Sequence, residues 1–308
     1  MEYVEFLKKV KEQVKQIMGD GYEVTIESIL KNNSLVLDGL IIKEPKQSRI
    51  SPNIYLNSFY ELYNEGVSIQ EISQQITKVY YENNQVEQRY LEYVDMLNDY
   101  ERCKDKIILR LHNKSLNEKL LEECPYEEFN DLAITYHYLV ECGNVNIATI
   151  RINHSIFEGW NVDREELLKN AMSNTVRLFQ PKVCYIRDMI RNLIDTQEYV
   201  FDDDFAEDEM DLNMLVITNL QCNFGAIAIL YNGLLKCIAD KLESDLIILP
   251  SSVHEVICVK KTDNTDIYDL LSMVKEVNDT QVKLEEILGY NIYIYSRLKE
   301  TIEVVSKD

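Results

Sequence analysis

Ser251, Ser252, His254 and Glu255 place within five positions the groups that serine hydrolases use. A serine nucleophile needs a histidine to take its proton and an acid to orient that histidine. All four lie in DLIILPSSVHEVICVKK, Asp245 to Lys261. This stretch reads as a strand, a tight turn at Pro250-Ser251-Ser252 and a second strand, both runs being short, β-branched and apolar. With the second strand starting at Val253, His254 and Glu255 point to opposite faces and cannot clasp each other. Ser252 and His254 share a face but stand about 7 Å apart along it. The residue types suit a triad and their spacing does not. The favoured reading is a Pro-Ser-Ser turn whose polar groups are hydrogen-bonded where the strand enters the core. A hydrolase-type site near Pro250–Glu255, using His254, Glu255 and Ser252, is the alternative.

Other patterns weigh less. The run FDDDFAEDEMD (201–211) offers carboxylates to a hard cation, with Asp202, Asp203 and Asp204 as the metal candidates. It lacks the glycine an EF-hand loop needs for its sharp turn, so a solvated acidic loop is the expectation. His112, His137, His154 and His254 are far apart and show no metal-ligand spacing with one another or with a cysteine. They make a transition-metal site only by meeting in three dimensions. Gly19-x-Gly21 ends a helix, and no phosphate-binding or dinucleotide-binding glycine pattern exists. Asn223-Phe224-Gly225 precedes a helical stretch and could offer backbone N–H groups to an anion. A plain strand-to-helix turn is the simpler reading there, and no cofactor is expected.

These residues sit in a chain of 308 residues, 46% hydrophobic and 28% charged, with 9 glycines and 5 prolines. That composition suits a folded α+β protein without long linkers. The net charge of −21 opposes binding to phosphate backbones and anionic membrane surfaces. A protein or small-molecule partner fits better. Seven cysteines, none in a CxxC pair, suit free thiols in a reducing compartment. The start, MEYVEFLKKVKEQVKQ, is amphipathic and unlike a signal peptide, and no apolar run reaches membrane-spanning length. The expected location is the cytoplasm.

Along the chain, residues 2–18 form a helix with Phe6, Val10, Val14 and Ile17 on one stripe. A β-hairpin follows around Asn32-Asn33, then a loop from Pro45 to Pro52. Helices are expected at 56–63 and 68–81, the second opened by a Ser68-x-x-Glu71 capping box. A longer helical pair is expected at 86–112 and 114–123, then a second hairpin at 132–140 and 146–153. Asp163-x-x-Glu166 caps a helix to Phe179, and Pro181 starts another to Ile194. Thr196 to Asp211 is half Asp or Glu with no Lys or Arg, and reads as the best internal boundary. The domains are therefore drawn as 1–195, helix-rich with two hairpins; 196–211, an acidic loop; and 212–308, a βαββαβ unit of split-βαβ type ending in a helical tail, with a single domain that joins the first and last parts as the alternative. Twenty tyrosines against 8 phenylalanines, with clusters at Tyr55, Tyr60, Tyr63 and Tyr80, Tyr81, suit either a partner surface or the borders of helical packing.

FNDLAITYHYL (129–139), DREELLKNAMSNTVRL (163–178), LPSSVHEVI (249–257), MVKEVN (273–278) and YIYSR (293–297) resemble an uncharacterised bacterial family, a domain of unknown function of about this length. The likeness runs over most of the chain. It implies a cytoplasmic α+β protein and carries no activity, ligand or catalytic residue. On these grounds the leading expectation is a non-catalytic interaction or binding protein.

Overall fold

Phe6, Val10, Val14 and Met18 share one side of helix α1 (Tyr3–Met18) and are buried, while Ile17, expected on that stripe, is 45% exposed. The computed structural model describes residues 1–44, 53–83, 93, 95–142, 147–186 and 214–306. It divides the chain into two compact units, Met1–Asp99 and Tyr100–Asp308.

In the first unit, β1 (Glu23–Leu30) and β2 (Val36–Lys43) pair antiparallel, and β3 (Asn53–Tyr55) adds to β2. The hairpin reverses at Asn33 and Ser34, both at φ 56, a region open to asparagine through its short polar side chain. Helices α2 (Leu56–Asn64) and α3 (Ile69–Asn83) complete the unit. The capping box is formed: Glu71 accepts from the Ser68 amide at 3.1 Å and hydroxyl at 2.8 Å, and the Glu71 amide donates back to Ser68 Oγ at 3.2 Å. The core joins Phe6 and Val10 to Leu40, Ile42, Ile72 and Ile76. Tyr60 and Tyr63 pack their rings on Phe6, with centroids 5.1 and 5.6 Å away, and Tyr80 is buried. These tyrosines serve the unit's own interior.

In the second unit Ile107–Asn113, expected to close a helix, is strand β4, buried along almost its whole length. A strand covered on both faces has no alternation, and Ile107, Ile108 and Leu111 mimic helical spacing. It pairs with the long β6 (Leu132–Cys142), whose other side holds β5 (Tyr126–Phe129) and β7 (Ile147–Arg151). The outer edge of β4 is covered by helix α4 (Arg164–Leu178), which Asp163 caps by accepting from the Glu165 and Glu166 amides. Thr175 Oγ1 accepts from the Leu109 amide at 2.9 Å, and Asn174 donates to the Ile107 carbonyl at 3.1 Å. Side chains thus supply what a further strand would have bonded.

A second antiparallel sheet runs in the order β13-β12-β10-β11-β9-β8. Its members are β8 (Pro181–Tyr185), β9 (Met214–Asn219), β10 (Leu246–Leu249), β11 (Val256–Lys260), β12 (Ile292–Ser296) and β13 (Thr301–Val305). Helix α5 (Leu234–Leu242) links β9 to β10, and α6 (Ile267–Thr280) links β11 to β12. Each helix-linked pair of strands is separated by one other strand. Leu270, Leu271 and Val274 of α6 pack on Ile247, Leu249 and Ile292. Pro181 starts edge strand β8, where a missing N–H is tolerated, and the rest of the helix expected to Ile194 lies, after residue 186, outside the described residues. The expected helical tail is strand β13. The loop 45–52, the second hairpin's turn and the acidic run with Asp202, Asp203 and Asp204 lie outside the described residues. The strands on either side of that acidic run, β8 and β9, are paired neighbours, and the division between units falls instead after Asp99. No helix among the described residues is long and apolar enough to cross a membrane.

Candidate functional site

Strand β11 begins at Val256, so Pro250 to Glu255 is a loop, and the expected placement of His254 and Glu255 on opposite faces of a strand does not apply. The loop turns on its own side chains. Glu255 Oε1 accepts from the hydroxyls of Ser252 at 2.8 Å and Ser251 at 3.2 Å, while Ser252 Oγ accepts from the His254 amide at 3.0 Å. The His254 ring turns the other way: Nδ1 accepts from the Phe224 amide at 3.2 Å, and Nε2 faces Glu286 Oε1 at 3.9 Å. With Nδ1 accepting, the neutral ring carries its hydrogen on Nε2 and has no lone pair free to take a serine proton. Among the described residues neither serine hydroxyl is bonded to that ring. The four groups are neighbours without forming a nucleophile–base pair.

The partner of this loop is Thr218–Ala226. The His254 carbonyl accepts from Gly225 N at 2.9 Å and from Thr218 Oγ1 at 2.8 Å. Asn219 accepts from the Asn223 amide at 3.2 Å. The amides of Asn223, Phe224 and Gly225 are therefore all used inside the fold, and none is offered to an anion. Cys222 and Phe224 sit at φ 50 and 52, a conformation that side chains with a Cβ rarely adopt. A Cβ on Gly225 would lie 2.6 Å from the His254 carbonyl and 2.7 Å from Asn219 N, so only glycine fits. An open pocket of about 420 Å³ lies over this junction, bordered by Cys222, Asn223, Ser251, His254, Glu255 and Glu286. A larger groove of about 710 Å³ lies between Lys114, Glu118, Tyr126, Asn130, Asp131 and Tyr290. There Asp131 ties the two sheets of the unit together, accepting from Tyr293 at 2.7 Å and Asn291 at 2.9 Å.

The structure does bring two histidines together. His112 on β4 and His137 on β6 are buried with ring centroids 5.9 Å apart. His137 Nε2 meets Thr135 Oγ1 at 2.9 Å. Burial, reinforced by the charges of Arg110 and Arg151, pulls His112 down to about 3 and holds His137 well below its ordinary value. Both rings are neutral at physiological pH. His154 starts the helix His154–Trp160 and His254 lies in its own loop, so the four do not converge. No group of three or more His, Cys, Asp or Glu among the described residues is placed to hold a metal. Sequence reasoning passed over Arg110, whose guanidinium carbon lies 3.4 Å from the Phe224 ring centroid. The available signal was a single arginine between Leu109 and Leu111 in an apolar run.

Two antiparallel sheets in one unit and a hairpin wrapped by three helices in the other make this a mixed α+β protein. The chain belongs to the family of unknown function DUF5688, which it matches over residues 3–297. No curated protein and no solved structure matches it.

Proposed function

We propose that the chain is a non-catalytic binding or interaction protein of the bacterial cytoplasm, with a protein or small-molecule partner rather than nucleic acid or a membrane. The observation that carries this is the locked state of the Pro250–Glu255 loop. Its one imidazole acceptor is spent on the Phe224 amide, and both hydroxyls are spent on Glu255. A hydrolase needs such groups aimed at one another and at substrate. The net charge of −21 speaks against phosphate backbones, and the free thiols of Cys124 and Cys258 suit a reducing compartment. The groove beside Tyr290 has the size and the mixed polar and aromatic walls of a small-ligand or peptide site.

A fluorophosphonate probe tests the choice between binding and hydrolysis. The expected result is no covalent label on Ser251 or Ser252, together with a partner retained by the wild-type chain and lost from Tyr290→Ala. Labelling of either serine that His254→Ala abolishes would overturn the proposal in favour of a hydrolase.

A further inference from the structure

The groove beside Tyr290 joins apolar surface to charge of one sign. Leu121, Tyr126 and Tyr290 give it aliphatic and aromatic walls, and Glu118, Glu122 and Asp131 give it carboxylates. The one cation that lines it, Lys114, is bonded to Glu128 at 2.6 Å. Among the described residues no cation pairs with Glu118, Glu122 or Asp131. Asp131 is set in place by Tyr293 and Asn291, which are neutral donors, so its charge is oriented and not cancelled. Acids along a wall of low dielectric raise the local concentration of cations. Tyr290 and Asn291 also line a second groove of about 550 Å³, together with Lys275, Glu276 and Asp279. There the chain binds a cation of its own. The Lys275 ammonium stands 5.5 Å from the Tyr290 ring centroid and meets Asp279 at 2.6 Å, held by a ring and a carboxylate at once. The larger groove has the same two parts, and its single ammonium is already taken.

We propose that this groove docks an extended basic segment of a partner protein, whose lysine or arginine heads meet Glu118, Glu122 and Asp131 while their stems lie on Tyr126 and Tyr290; it rests on the reading of the chain as a binding protein and names the class of partner. Charge complementarity selects the occupant, since a basic segment is drawn to this surface and an acidic one is repelled. Two grooves that meet at Tyr290 suit an extended chain with basic groups on either side of that ring. Asn130 favours a peptide over a free polyamine. Its side-chain amide makes no hydrogen bond among the described residues, and it offers the donor and the acceptor that a peptide group needs and a polyamine cannot use in full.

The test is fluorescence anisotropy of a labelled peptide of lysine and arginine interspersed with glycine and serine, beside an acidic peptide of equal length, with spermine as competitor. Wild-type protein is expected to bind the basic peptide saturably, more weakly as salt rises, and to ignore the acidic one. Glu118 and Glu122 are exposed, so Glu118→Gln with Glu122→Gln leaves the fold intact and should weaken binding about fivefold. Glu243→Gln with Asp263→Asn removes the same charge at the opposite end of the second sheet from Tyr290, and should change binding by less than about twofold. Tyr290→Ala should also weaken it about fivefold. Equal losses in the two double variants would reduce the effect to net charge. Spermine that displaces the peptide at equal concentration of charge would make the ligand a polyamine. Either result overturns the assignment, as does a wild-type protein that treats basic and acidic peptides alike. The binding-protein reading survives all three, because it falls to labelling of Ser251 or Ser252 that depends on His254.

Discussion

Glu255 holds its loop from the centre, accepting two hydroxyls, and His254 pins that loop to the Phe224 amide. These roles predict losses of stability. Glu255→Gln should cost about 1–2 kcal/mol through weaker acceptance from Ser251 and Ser252. His254→Ala should cost a similar amount by leaving the Phe224 N–H unpaired. Urea denaturation decides the matter: two variants as stable as the parent would show that these bonds do not hold the loop. His112 and His137 predict a pH dependence with a definite sign. Their folded pKa values lie below the value near 6.5 of an unfolded histidine. As pH falls through 6.5 the unfolded chain gains protons that the folded chain refuses, so stability falls with pH and is unaffected by these groups above that point. For His112 the loss is about 2 kcal/mol between pH 6.5 and 5, and His137 adds to it in the same direction. Replacing His137 by Leu should make the slope shallower in urea midpoints measured across the window. An unchanged slope would mean the imidazole is reached by protons in the folded state.

Elements set by adjacent residues were legible in the sequence, and elements set by distant ones were not. Ser68 with Glu71, Asp163 before Glu165, and the Asn33 turn announce themselves because the groups that cap or reverse the chain lie within three positions of the groups they satisfy. Strand β4 was illegible because its edge is satisfied by Asn174 and Thr175, more than sixty residues away. Pro181 carries the same signal at the first turn of a helix and at the start of an edge strand. The loop after Pro250 runs three residues further than its local pattern indicates, enough to change which side chains meet. The pairing of His112 with His137 needed the β4–β6 register, which no local pattern supplies. Gly225 shows how tightly the Thr218–Ala226 segment is fitted to the His254 loop. Gly225→Ala forces a methyl group against the His254 carbonyl and the Asn219 amide, with Thr218 Oγ1 closer still. It should cost about 1–3 kcal/mol, read by chemical denaturation. A neutral outcome would show that the two segments separate without penalty.

At the scale of the whole chain, the first unit closes a core of its own. Phe6, Val10, Val14, Leu40, Ile42, Leu56, Ile72 and Ile76 are all fully buried in one cluster, and every member of that cluster precedes residue 84. Burying each such side chain contributes about 1.5–3 kcal/mol. The hairpin and β3 present one face to this cluster and the three helices cover it, which is the layered arrangement a small domain needs. Roughly one hundred residues lie near the lower size at which a single core suffices without a disulfide or metal. Residues 1–99 expressed alone should therefore fold, giving dispersed amide resonances and a single cooperative urea transition. Ile76→Ala in that fragment removes about 2–5 kcal/mol, a large share of what a domain of this size holds, and should leave it largely unfolded at room temperature. In the full chain the same substitution should lower a first transition that belongs to this unit while leaving the unfolding of Tyr100–Asp308 in place. A fragment with helical signal but no cooperative transition, or a full-length variant whose whole unfolding curve shifts as one, would show that residues 1–99 draw their stability from the rest of the chain.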